Sequence, residues 1–196
     1  MCQHLLSDAS LYCFLFEIDQ DLAKKTKAAR CRFCGAALHV ANYRRKPRGA
    51  QAEQLINCRR RFSFTCYKCQ LRTTPPSVRF LGRKVYLGVV VIILTAMRQG
   101  LSPRGEKTLR QSLGVDRKTV AEWQKWWVES FQPSDFGQEA RRQLFSSISV
   151  DAEPPLSILK ALSAIDSMEN FCQALRFLSP ASAVFAISVH ARLWPC

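Results

Sequence analysis

Four cysteines stand as two close pairs, Cys31-Arg32-Phe33-Cys34 and Cys66-Tyr67-Lys68-Cys69, with 31 residues between the pairs. A three-residue offset lets two sulfurs from one tight turn reach one ion, and two such turns complete a tetrahedron of thiolates, the usual shell of structural zinc. Gly35 follows the first pair and frees the backbone to curl so that N–H groups face sulfur. Arg32, Lys68 and Arg72 lie nearby and favour the charged thiolate. Two other readings compete: a redox pair of the thioredoxin kind, and unrelated buried thiols. The second pair and the polar, strand-like flanks favour a metal site with Cys31, Cys34, Cys66 and Cys69 as ligands and Zn as a structural ion. The spacer exceeds the common 15–20 residues, which predicts an extended hairpin between the pairs. Cys58 could replace a ligand but lacks a partner at the three-residue spacing, and His39, weighed as a substitute, reads as a strand residue rather than a ligand. Cys2, Cys13, Cys172 and Cys196 have no partner by spacing and read as small buried residues.

Cations fill that hairpin. Arg44, Arg45, Lys46 and Arg48 form one cluster and Arg59, Arg60 and Arg61 a second, with Arg72, Arg79, Arg83 and Lys84 following. The chain carries a formal net charge of +14. Residues 1–30 are neutral, residues 31–130 hold 20 Lys/Arg against five Asp/Glu, and residues 131–196 sum to −1. A field this lopsided calls for an anionic partner, and clustered cations on a small rigid unit suit phosphates. A solvated basic face is the bland alternative for any single cluster; several in one segment point to nucleic acid.

A second pattern lies in Thr108–Trp127, TLRQSLGVDRKTVAEWQKWW. Leu109 and Leu113 are one turn apart on a first helix. Gly114 permits a left-handed turn and Val115 plugs the space between helices. Asp116 caps a second helix, on which Val120, Trp123 and Trp127 share the inner face. Arg117, Lys118 and Lys125 then face outward. In a helix-turn-helix the start of the second helix enters the major groove, so Arg117 and Lys118 are the candidates for bases or phosphates and Lys125 for the backbone. An ordinary helical hairpin is the competing reading.

Elements must position these groups. With 196 residues, 47% of them hydrophobic, the chain can bury a core. The expected class is α+β, mainly α, in four parts: a leader helix over 1–30, a zinc ribbon of short antiparallel strands over 31–80, a trihelical helix-turn-helix over 81–130, and a helical or irregular segment over 131–196. Leu11, Phe14, Leu15 and Leu22 would line the leader helix. ALHVANY and RRRFSFTCY read as strands, with Phe62 and Phe64 on one face and Arg61 and Ser63 on the other. Residues 82–100 read as one long apolar helix ending near Gly100. Its longest apolar run, 85–97, is 13 residues, short of the ~20 that span a membrane. The N-terminus lacks the cationic start of a secretory signal. Nine cysteines without such a signal suggest a reducing compartment, so a cytoplasmic, nucleoid-associated protein without membrane contact is expected.

The order CRFCG, CYKC, LRTTPPSVRF, SLGVDRKTVAEWQKWW resembles the DNA-binding N-terminal part of insertion-sequence transposases and transposase-like mobile-element proteins. The resemblance covers roughly residues 31–130 and implies sequence-directed binding of double-stranded DNA. Such transposases carry a ribonuclease-H-like domain with three separated carboxylates holding metal ions. Here Asp135, Glu139, Asp151, Glu153, Asp166 and Glu169 lie within 35 residues, in about 65 residues too few for that domain. No Ser/His/Asp or Cys/His arrangement is visible, and His4, His39 and His190 lie far apart. A non-enzymatic DNA binder is therefore expected, as a homodimer or with a recombinase or transposase partner. A protein-interaction adaptor and a truncated transposase subunit are the alternatives.

Overall fold

The structure is a computed structural model that describes residues 6–82, 84–145, 153–164 and 166–182. It is α+β and mainly helical, with eight α-helices and five short strands among the described residues.

Helix α1, Ala9–Ala28, is capped by the Asp8 carboxylate, which accepts from Ser10 N at 2.8 Å. It buries Leu11, Tyr12, Leu15, Ile18, Asp19 and Ala23. The buried stripe lies nearer Tyr12 and Asp19 than the expected one, so Phe14 falls outside it at 44% exposure, and Leu22 is half-buried. The helix is an integral wall of the main core rather than an appendage.

Strands β1 (Leu38–Val40), β4 (Phe64–Cys66) and β5 (Arg72–Thr73) form an antiparallel sheet in the order β1-β4-β5. Strands β2 (Tyr43–Arg44) and β3 (Arg60–Arg61) pair separately, Tyr43 opposite Arg61 and Arg44 opposite Arg60. The span between β2 and β3 is not extended hairpin throughout. A short helix, α2 (Ala52–Leu55), and a 3-10 turn, Ile56–Cys58, interrupt it. Gln51 starts the helix by exchanging bonds with Gln54, its N–H donating to Gln54 Oε1 at 3.1 Å. Phe64 is buried and Phe62 half-buried in a small core with Ala23, Cys31, Leu38 and Cys66. The expected polar face is buried as well: Arg61 is 2% and Ser63 0% exposed.

The long helix expected over 82–100 begins only at Gly88. Just before it Tyr86 and Leu87 make isolated bridges, Arg48–Tyr86 and Phe80–Leu87. Helix α3 (Gly88–Ala96) is buried at all nine positions, as its apolar circumference requires. It ends in a π turn, Met97–Leu101, where Gly100 takes φ +124°, a conformation open to glycine. Helices α4 (Pro103–Ser112) and α5 (Arg117–Trp126) follow, and α3 packs against both. A second π turn, Trp127–Phe131, leads to α6 (Asp135–Phe145). Helices α7 (Leu156–Ala161) and α8 (Met168–Leu178) complete the described chain. Gln99 fixes the start of α7, donating to Pro154 O at 2.9 Å and accepting from Leu156 N at 3.2 Å. Within the part expected to be helical or irregular, helix runs through Phe145. Asp151, His4, His190, Arg83, Cys2 and Cys196 lie outside the described residues.

Candidate metal centre and nucleic-acid interface

The two cysteine pairs meet. The Sγ atoms of Cys31 and Cys69 are 3.6 Å apart, those of Cys34 and Cys66 3.4 Å, and all four lie within 4.8 Å of one another. A tetrahedron with bonds of about 2.3 Å has sulfurs about 3.8 Å apart, so the four fit one ion. They are a possible metal site, and the convergence rules out unrelated thiols.

The two turns share one backbone design. Gly35 N donates to Cys31 O at 2.8 Å and Gln70 N to Cys66 O at 3.1 Å. Cys31 N donates to Ala36 O at 2.9 Å and Cys66 N to Leu71 O at 3.0 Å. Both closing residues are left-handed, Gly35 at φ +70° and Gln70 at φ +58°. Open space surrounds the position of a Gly35 Cβ, so the glycine serves its φ rather than a close approach. In the second turn Lys68 N and Cys69 N point at Cys66 Sγ, at 3.3 and 3.4 Å. Burial opposes charge on Cys66, but these N–H groups and the thiols of Cys34 and Cys69 outweigh it and bring its pKa down to about 6. For Cys69 the Leu71 N–H favours the thiolate, yet burial and the three neighbouring sulfurs push its pKa up to about 12.

Neither proposed substitute joins the centre. His39 lies on β1 opposite Thr65, exposed, with its ring 6.3 Å from that of Tyr67. Cys58 is buried in the main core, where burial holds its thiol up at about 11.

The basic hairpin divides into surface and structural cations. Arg44, Lys46, Arg48, Arg59 and Arg60 are exposed. Arg44 and Arg60 stand directly opposite each other, a like-charged pair that costs stability unless an anion sits between them. Glu53 is the one acidic residue between Asp21 and Glu106, and it lies at the far end of the hairpin on α2. Arg45 is half-buried; its guanidinium donates to Gly82 O at 3.1 Å and Lys84 O at 2.8 Å and lies 4.8 Å from the Phe80 ring centre. It braces the hairpin against the entry to α3. Arg61, expected at phosphate, is instead buried, its Nη2 donating to Pro75 O at 2.6 Å and its Nη1 unpartnered. The period-two alternation put it outward, but β3 turns Arg60 to solvent and Arg61 inward. Burial brings its pKa down to about 10.

Arg79 is likewise withdrawn from the surface, at 0% exposure. Its Nε pairs with Asp19 Oδ2 at 2.8 Å, and its Nη atoms reach Asn57 O at 2.5 Å and Arg60 O at 3.0 Å. The rings of Phe16, Phe62 and Phe80 surround it at 5.0–5.3 Å. Asp19 also accepts from Val78 N at 2.7 Å and from the Ser77 hydroxyl, and Ser77 N donates to Ser182 Oγ at 2.7 Å. Sequence reasoning missed this knot. Its signal is a carboxylate on the apolar stripe of α1 and an arginine between Val78 and Phe80.

The α4–α5 pair has the expected layout. Gly114 takes φ +62°, Val115 is buried at 3%, and Asp116 Oδ1 accepts from Lys118 N at 2.6 Å. Leu109, Val120, Trp123 and Trp127 are buried. Arg117, Lys118 and Lys125 are exposed, and Lys125 is 3.8 Å from Glu129. Arg98 Nη1 holds Arg117 O at 3.3 Å and Arg110 Nη1 holds Val115 O at 2.9 Å, so cationic side chains fix the turn's backbone. Nothing lies within 4 Å of a Gly114 Cβ. Gly114→Ala therefore costs only the left-handed strain, roughly 1–2 kcal/mol, and Gly114→Asn less, as thermal unfolding of the two variants would show.

Tyr86 joins the two halves. Its main chain bridges Arg48, with Arg48 N donating to Val85 O and Leu87 N to Arg48 O, each at 3.0 Å. Its hydroxyl donates to Gly114 O at 3.3 Å, and its ring meets Trp123 edge-on at 5.1 Å. The tip of the basic hairpin thus adjoins the turn that precedes α5. Lys84 lies beside this junction, its ammonium 4.1 Å from the Trp126 ring centre and its pKa brought down to about 8 by burial.

No protein-family model, curated protein or solved structure matches the chain. Among the described residues, no helix is long and apolar enough to cross a membrane.

Proposed function

We propose that the chain binds double-stranded DNA, with α5 as the reading helix, the hairpin cations on the backbone, and a structural zinc ion in the cysteine centre. The Tyr86 junction is the observation that carries this reading. It brings Arg48 beside the turn ahead of Arg117 and Lys118, so exposed cations of the hairpin accompany the capped start of α5. The unpartnered Arg44–Arg60 pair supports it, since phosphate is the anion that would relieve their repulsion. Zinc is favoured by four sulfur donors at tetrahedral spacing. When bound it closes the ribbon with no open position for water, which is why the role assigned is structural. The motif order favours a mobile-element role.

Variants test the assignment of individual cations. Lys118→Ala and Arg60→Ala should each weaken binding to duplexes of any sequence and reduce the slope of log K against log salt by about 0.9. Arg117→Ala should cost about 1–3 kcal/mol and relax preference at one base position if Arg117 reads a base. Unchanged affinity and slope in all three, measured by fluorescence anisotropy, would contradict the reading.

A further inference from the structure

The ribbon has a second exposed surface, built from residues outside α5. On the three-stranded sheet, His39, Thr65 and Arg72 stand in register across β1, β4 and β5, and residues directly opposite share a face. Leu38, Phe64 and Cys66 take the other face and form the small core. The row is extended at one end by Tyr67, 66% exposed, whose ring lies 6.3 Å from that of His39. At the other end Arg72 sits 5.6 Å from the ring centre of Tyr43, itself 39% exposed. From His39 to Arg72 is two strand spacings, about 10 Å, or roughly three nucleotide rises of about 3.4 Å.

We infer that this row, Tyr67–His39–Thr65–Arg72–Tyr43, is a stacking platform for an unpaired nucleic-acid strand. Large rings left in water cost free energy unless a partner covers them, and the charge around them selects the partner. The only acidic residue between Asp21 and Glu106 is Glu53, and Arg72 donates only to Ala41 O at 3.5 Å and Ser63 Oγ at 3.4 Å among the described residues, so an apolar protein segment docking here would leave its charge without a counter-charge. A single strand supplies both needed elements: flat bases for Tyr67 and Tyr43, and phosphates for the cations. A duplex offers its bases only at the groove edges and cannot stack on this row. The site is distinct from the α5 surface and does not depend on the duplex reading.

The test uses the full metal-loaded chain with a fluorescein-labelled dT12 strand and a duplex of the same length. Tyr67→Ala and Tyr43→Ala should each weaken dT12 binding by about fivefold to about 150-fold, the range of one lost base–aromatic stack, and leave duplex affinity within about twofold. Tyr67→Phe keeps the ring and should bind dT12 like the parent. Metal content is measured on every variant; if Tyr67→Ala loses its metal, Tyr43→Ala, outside the cysteine turns, decides. Unchanged dT12 affinity in the metal-loaded alanine variants, an equal loss for duplex and single strand, or no dT12 binding by the parent would overturn the inference. Loss of dT12 binding in the alanine variants when the parent binds no duplex would uphold this site and refute the duplex reading.

Discussion

Asp19→Ala should destabilise the protein by about 3–5 kcal/mol, a fall in Tm of roughly 6–20 °C for a chain of this size. The cause is the charge left behind. Asp19 and Arg79 are both fully buried and paired at 2.8 Å, and removing the carboxylate leaves a guanidinium in the core with no anion. The N–H of Val78 and the hydroxyl of Ser77 lose their acceptor as well. This loss is a large share of the 5–15 kcal/mol that holds a typical domain together. Asp19→Asn should fall between parent and Asp19→Ala, since the amide oxygen can still accept from Val78. The double variant Asp19→Leu/Arg79→Met should recover part of the loss, because removing both charges removes the unpaired one. Full recovery is not expected: Arg79 also satisfies the carbonyls of Asn57 and Arg60. A shift below about 0.5 kcal/mol for Asp19→Ala, measured by denaturant titration, would show that the knot contributes little.

Cys66→Ser should cost the ribbon its metal and its fold while sparing the helices. The ribbon's own core holds Ala23, Cys31, Leu38, Phe64 and Cys66, with Ala36, Phe62 and Cys69 half-buried against it. Two of its five buried members, Cys31 and Cys66, are candidate ligands, and what remains is too little apolar surface to order about 50 residues. Binding of structural zinc supplies on the order of 10–16 kcal/mol in small domains, so its loss exceeds any reserve there. The helices bury a separate core, which also takes in Cys58, Val78 and Phe80 from outside the helices. Cys66→Ser, or chelation of the parent, should therefore remove one metal equivalent and open residues 31–40 and 62–73 to protease while most of the helical circular dichroism persists. A Cys66→Ser protein with no metal and a protease-resistant ribbon would contradict a structural role for the centre.

The cysteine centre was legible because spacing alone constrains it: two three-residue offsets can serve one ion. The α4–α5 hairpin was legible because Gly114, Asp116 and the Val120–Trp123–Trp127 stripe each state a local requirement that the fold obeys. The start of α3 was not. Apolar periodicity cannot distinguish a buried helix from a buried non-helical segment, and Tyr86 and Leu87 are claimed by bridges to Arg48 and Phe80. Charge was the least reliable guide to exposure. Arg61 and Arg79 look like their neighbours Arg60 and Arg72 in sequence, yet carbonyls and Asp19 draw them inside. Asp19 carried the missing clue, a carboxylate on a stripe that otherwise buries. Its partner lies 60 residues away, a distance that no local pattern bridges.

The central claim is that this basic chain grips duplex DNA through its phosphates. A salt titration of duplex binding by the metal-loaded protein tests it most directly. Exposed cations flank both the hairpin tip and α5; if six to ten of them meet phosphates, affinity should fall by about 10³–10⁵ between 50 and 200 mM salt, linearly in log–log form. An affinity that stays flat across that range would contradict the claim.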